Sequence, residues 1–316
     1  NRSNTYKIGI LNNMILNRRI WCLLFVFVTA NPISAQDYCP EKRLLLEKYQ
    51  AGEYIKAKAY IDTVILRCPD QKSNAYFWHI SAFINFNTFQ KVDQKSPLSK
   101  ARNEAVSSVL KSMELDKDNQ YLEHNKQILD VLANGYYNHY VSYLDTNNYV
   151  KAVNFYQEFK ALKKITGQSV DFNQYEIQHC IMLAQIYKQL YHNDENAIHF
   201  IQKAIDSYQC VLSIDENNYS ANKNLGILYH NLGVETIMKE LPVDADLEVV
   251  IVMEEKAVNY FTKSLPYLKK VYKMEPTDEA IVHGIAAVYY SLNDTEQHIK
   301  YYNLYRDLKN SNSNND

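Results

Sequence analysis

The chain has 316 residues, 47% of them hydrophobic, with only 7 Gly and 7 Pro and a formal net charge of −2. So little Gly and Pro excludes a turn-rich all-β fold and leaves no glycine-rich phosphate loop. The near-neutral charge, without a Lys/Arg run, excludes nucleic acid as a partner bound through its phosphates.

Taken in chain order, the first element is an address. Asn17-Arg18-Arg19 precedes the apolar run Ile20 to Ala30, and Ile33-Ser34-Ala35 precedes a polar stretch, the basic, apolar and cleavage-site order of a secretory signal. Met14 reads as the start, residues 1–13 as upstream translation and 14–35 as the signal peptide. The apolar run is about half the ~20 residues that a membrane-spanning helix needs, so no stable membrane anchor is expected after cleavage. Export leaves Cys39, Cys68, Cys180 and Cys210 in a disulfide-permissive compartment. Cys39 precedes one helix and Cys68 ends the helix that folds back on it, which makes them candidates for a bridge. Cys180 and Cys210 have nearly the same separation, and read either as a second bridge or as buried thiols.

After Pro40, helical periodicity dominates and no alternating strand stands out. "CPDQKSNA" (68–75), "LDKDNQ" (115–120), "IDENNYSA" (214–221) and "EPTDEA" (275–280) each close one apolar helical pattern and open the next, with Asp, Asn, Ser and Thr placed to cap the following helix. Tighter turns at Ala51-Gly52, 146–148, 192–194 and 292–294 split each unit into a helical hairpin. Residues 91–97 and 241–247 read as insertions, and Pro266 as a kink or interruption in a long helix.

These hairpins resemble the tetratricopeptide repeat family. Gly52, Ala57, Ile61, Val64 and Pro69 match the second half of its pattern. Leu225, Gly226 and Tyr229 match the first half, which Ser264, Leu268, Val271 and Pro276 complete after an insertion. Ala152, Tyr156 and Phe159, then Ala197, Ile201 and Ala204, and finally Ala287, Tyr290 and Tyr302 carry the pattern on. The order of features is also similar to exported repeat proteins of Bacteroidota-type bacteria. The resemblance implies an all-α superhelical solenoid of about six antiparallel hairpins over residues 36–310, with units longer than the family's usual length of about 34 and a disordered tail at 311–316. Small residues such as Gly226 let paired helices approach, while Tyr156, Tyr229 and Tyr290 read as packing between helices.

The same resemblance implies a concave face lined by first helices. Its exposed positions carry over to Tyr76, His79, Phe83, Tyr137, Gln178, Gln185, Lys223, Ile227 and His230, with packing under the next hairpin as the alternative for Phe83 and Ile227. The family's carboxylate clamp would need Asn where Leu46, Phe83 and Ile227 stand, so it is absent.

The residues point away from catalysis. There is no H-E-x-x-H, no Cys pair with zinc spacing, no G-x-S-x-G elbow and no phosphate loop, so neither metal nor cofactor is expected. His179 and Cys180 are adjacent and diverge by about 100° on a helix, and Glu254-Glu255 reads as solvated surface. The expected function is a non-enzymatic scaffold in the cell envelope, expected to be periplasmic from the lack of a β-rich sorting domain, that binds protein partners through the concave face and the 241–247 insertion. The alternative is a peptide- or glycan-binding module using the same Tyr/Gln groove.

Overall fold

The computed structural model describes residues 39–167, 171–194, 197–242 and 244–313. The signal-peptide reading lies outside them. The chain divides into two compact units, one ending at Gln71 and one beginning at Lys72.

The first unit is one hairpin, α1 (Pro40–Gln50) and α2 (Tyr54–Arg67). Proline opens α1, where its missing amide costs nothing, and the Cys39 sulfur accepts from the Lys42 amide at 3.4 Å. Gly52, at φ 73°, supplies the left-handed turn between the helices. Leu45, Ala57, Ile61 and Val64 are buried. Cys39 and Cys68 are bridged across the open end, with Cα atoms 6.1 Å apart.

The second unit holds five hairpins. They pair α3 (Ala75–Asn87) with α4 (Lys100–Leu115), α5 (Leu122–Ser142) with α6 (Tyr149–Thr166), α7 (Phe172–Asn193) with α8 (His199–Ile214), α9 (Tyr219–Glu235) with α10 (Leu247–Met274), and α11 (Glu279–Ser291) with α12 (Thr295–Ser313). The protein is thus an all-α, tetratricopeptide-like array with no strand among the described residues. The punctuation marks work as caps: Asn74 accepts from the Phe77 amide at 3.1 Å, Asn218 from Ala221 at 3.1 Å, and Asp278 from Ala280 and Ile281 at 2.9 and 3.2 Å.

Close approach between paired helices is clearest at α9 and α10. A Cβ on Gly226 would lie 2.7 Å from Leu268 Cδ2 and 3.3 Å from the Leu268 backbone nitrogen, and one on Gly233 would lie 2.5 Å from the Phe261 ring. Ser264 uses the clearance to donate to the Gly226 carbonyl at 2.7 Å. Gly226→Ala is expected to destabilise by about 1 kcal/mol net, because overpacking of about 1–3 kcal/mol exceeds the roughly 1 kcal/mol gained in helix propensity. A urea melt checks this; a stabilised variant would mean that α10 moves aside freely.

Three expectations are corrected. Of the kink or interruption expected at Pro266, the interruption is absent: α10 runs through it with the ring on the exposed side. Helix α12 reaches Ser313, so the first three residues of the expected tail are helical. Tyr290 is 73% exposed and Tyr302 is exposed too; their neighbours Tyr289 and Tyr301 make the buried contact instead, stacked with centroids 5.7 Å apart.

The insertions begin alike. Helix α3 passes into a π turn at Thr88–Val92 and α9 into one at Thr236–Glu240. In each, a buried threonine hydroxyl donates at 2.8 Å to the carbonyl four residues back, Ile84 or Leu232. Such back-bonding competes with the helix ladder where it loosens into the wider turn.

Candidate functional site

The residues expected to line the groove separate into three groups. His79 and Phe83 are buried, 4% and 6% exposed. His79 lies with Nδ1 2.9 Å from Asn125 Oδ1 and its ring stacked on Tyr121. Burial lowers its pKa, opposed by the Asn125 contact. Both residues are core, because the seam between α3 and α5 closes over them. Tyr76 is half-buried against Tyr121.

The second group is tied up by neighbours. Tyr137 is half-buried within a ring cluster of Tyr140, Phe159 and Tyr175, at centroid distances of 5.0–5.6 Å. His230 is half-buried against Phe261, and desolvation lowers its pKa. Lys223 is ion-paired to Asp278, the same carboxylate that caps α11 and accepts from the Tyr219 hydroxyl. Its charge is therefore spent on joining α9 to α11.

Gln178 and Gln185 form the third group, half-buried and exposed on α7. They belong to a strip that the sequence reading did not assemble. On α7, Gln174, Gln178, Met182, Gln185 and Gln189 follow one another along the solvent face. On α5 the same spacing gives Gln127, Val131, Asn134, Asn138 and Val141, and on α9 Ile227, Asn231 and Val234, with Met238 following in the π turn at its end. None of these residues is charged. Ile227, expected either in the groove or under the next hairpin, is 36% exposed and sits in the strip.

Successive first helices meet through their flanks. Tyr140 on α5 and His179 on α7 lie 3.1 Å apart, and Tyr191 on α7 donates to Glu235 on α9 at 3.1 Å. The three strips are therefore neighbours, an amide-and-aliphatic surface. Gln127, Asn138, Gln185 and Gln189 have no side-chain hydrogen-bond partner among the described residues. Lys188, half-buried on the flank of α7, has no ion-pair partner there either, and burial lowers the pKa of its amine. An acidic group docking beside it would reverse that shift.

The reactive-pair candidate resolves into structure. Cys180 is bridged to Cys210, joining α7 to α8 with Cα atoms 6.3 Å apart. His179 stacks on Tyr156 at 4.0 Å. The one group of three metal-ligating side chains found among the described residues, Cys39, Glu41 and Cys68, has both sulfurs in a disulfide. No helix among those residues is long and apolar enough to cross a membrane.

No protein-family model matches the chain. No curated protein matches it either. Among solved structures, it is similar to the crystal structure of the MamA protein, at 14% identity over 74% of this chain and 94% of that one, with a TM-score of 0.32. So slight a likeness adds nothing to what the hairpins themselves establish.

Proposed function

We propose that this protein is an exported, non-enzymatic scaffold of the cell envelope that holds protein partners by an extended peptide segment laid across α5, α7 and α9. The observation that carries the reading is the uncharged strip. Exposed Asn and Gln offer both donors and acceptors to a peptide backbone, while Val131, Met182, Ile227 and Val234 offer apolar contact between them. An exposed helical face is ordinarily kept charged, as on α10 with Glu248, Glu255 and Lys273, so a low-charge strip spanning three helices favours recognition over mere solvation. Lys188 would favour an acidic residue in the segment. The paired cysteines agree with an oxidising compartment and hence with export.

The test is a crosslinked pull-down of the tagged full chain from its native envelope. The comparison is a variant carrying Asn138→Ala, Gln185→Ala and Asn231→Ala, matched for helicity. With about 1 kcal/mol for each lost hydrogen bond, the variant's affinity should fall about a hundredfold and the recovered protein set should disappear. Equal recovery from both chains would remove the strip from consideration. Saturable binding of a small oligosaccharide, lost in the same variant, would move the surface to a glycan ligand.

A further inference from the structure

Helix α10 carries a second surface, on the side away from α9. One row along its exposed side reads Glu248, Val252, Glu255, Asn259, Thr262, Pro266, Lys270, Lys273, at spacings of three or four residues that keep it on one face. Its first part is acidic, its middle neutral and its last part basic. Lys263 and Lys269 flank the basic end, and Lys256, ion-paired to Glu240, flanks the acidic end.

The charges are mostly unspent. Among the described residues, Glu248, Glu254, Glu255, Lys263 and Lys273 have neither ion-pair nor hydrogen-bond partners. Lys270 reaches only Glu216, at 3.8 Å, and that carboxylate is itself 79% exposed. Apolar groups are interleaved at both ends: Leu247, Ile251 and Val252 are 75%, 47% and 56% exposed in the acidic part. In the basic part, Pro266 and Met274 join Asn217, Lys269, Lys270 and Lys273 around a hollow of about 550 Å³. The helix dipole favours acids in the first turn and bases in the last, which accounts for Glu248 and Lys273. It does not account for Glu254, Glu255 or Lys263, which lie more than a turn inside.

We propose that this face is a homodimer interface, on which α10 of a second copy of this chain lies antiparallel. The row is self-complementary under a two-fold axis through its neutral middle, between Asn259 and Thr262. Such an axis sets Glu248 of each copy opposite Lys273 of the other and places Val252 and Glu255 against the Lys270–Pro266 end, so that each residue pair occurs twice, as an isologous interface requires. A parallel arrangement would oppose like charges and is disfavoured. From Glu248 to Lys273 the row is about 37 Å long at 1.5 Å per residue, which gives a seam with apolar contact as well as charge. The face is distinct from the strip on α5, α7 and α9, so a dimer would leave two such strips available to partners.

The test is sedimentation equilibrium of the full chain at low and high salt. Three proteins are compared: the wild type, an acid-to-base variant (Glu248→Lys, Glu255→Lys) and a base-to-acid variant (Lys270→Glu, Lys273→Glu). The wild type should dimerise with a Kd on the order of 10 μM, weakened about tenfold or more by high salt. Each variant alone should be monomeric with unchanged helicity, and an equimolar mixture of the two should form a heterodimer, because the row of one is then wholly basic and the row of the other wholly acidic. A monomeric wild type at low salt, a dimer indifferent to both variants, or variants that stay monomeric on mixing would each overturn the proposal.

Discussion

Lowering the pH from 7 to 5 should cost this protein about 2 kcal/mol through His179 alone. The ring is 6% exposed, stacked on Tyr156 with Nδ1 beside the Tyr140 hydroxyl. Desolvation pushes its pKa down to about 4, with the nearby Glu176 carboxylate working against the shift and Lys160 with it. The unfolded chain takes up its proton near the ordinary value of about 6.5, whereas the folded chain does not until about 4. The unfolded state therefore binds more protons throughout that window. Stability is full above about pH 6.5, falls as the pH drops, and levels off near pH 4 as far as this group is concerned. His79 and His230, also held below their ordinary values by burial, act in the same direction. The measurement is a set of urea melts between pH 7 and pH 5 on the wild type and on His179→Gln, which keeps a polar neighbour for Tyr140 but cannot titrate. The variant's curve should be flatter by about 2 kcal/mol. Parallel curves would mean that His179 takes up its proton equally in the folded and the unfolded chain.

The second large effect concerns the first hairpin. Apart from Cys39 of the bridge, its described apolar core is four side chains, Leu45, Ala57, Ile61 and Val64, too few to hold two helices together alone. The Cys39–Cys68 bridge closes a loop with a sequence separation of 29. On chain entropy such a closure stabilises by about 3.5 kcal/mol. Cys39→Ser with Cys68→Ser should raise amide exchange in α1 and α2 by a few hundredfold, about the Boltzmann equivalent of that energy. Helices α7 and α8, with their own bridge, should exchange as before. Unchanged exchange in α1 and α2 would show that packing rather than the bridge holds the hairpin.

Much of this architecture was legible because its determinants are local. The cap-and-turn clusters at 68–75, 115–120, 214–221 and 275–280 fall between helices as expected, since an Asn or Asp that caps a helix acts on amides two or three residues away. Gly226 was readable as a contact point for the same kind of reason: nothing larger fits against Leu268. One local signal was missed. Gly167, at φ 67°, followed by the cap Asp171, ends α6 and starts α7, the glycine-then-cap order that marks a helix boundary.

The surface was harder to read, because exposure depends on partners far along the chain. Lys223 looks free in its own helix and is captured by Asp278, 55 residues later. His79 and Phe83 sit on a first-helix face like the strip residues, yet α5 covers them. At the C-terminal end, tyrosines at 289, 290, 301 and 302 made the pattern ambiguous by one position, and a one-residue shift turns a helical side chain by about 100°, from core to solvent. The amide strip was missed because it is defined by what it lacks, and absence of charge becomes a signal only once the helices that carry it are known to be neighbours.

The paired π turns at Thr88 and Thr236 carry a consequence for how the array tolerates change in length. A π turn is a helix that has absorbed one residue without breaking, the extra unit taken up by a wider loop of backbone. A chain one residue shorter at either place would close its ladder as ordinary α-helix and swing the departing loop by about 100° around the axis. These two turns are therefore the points where single-residue insertions and deletions can re-aim the chain that leaves them while the hairpins beneath keep their register.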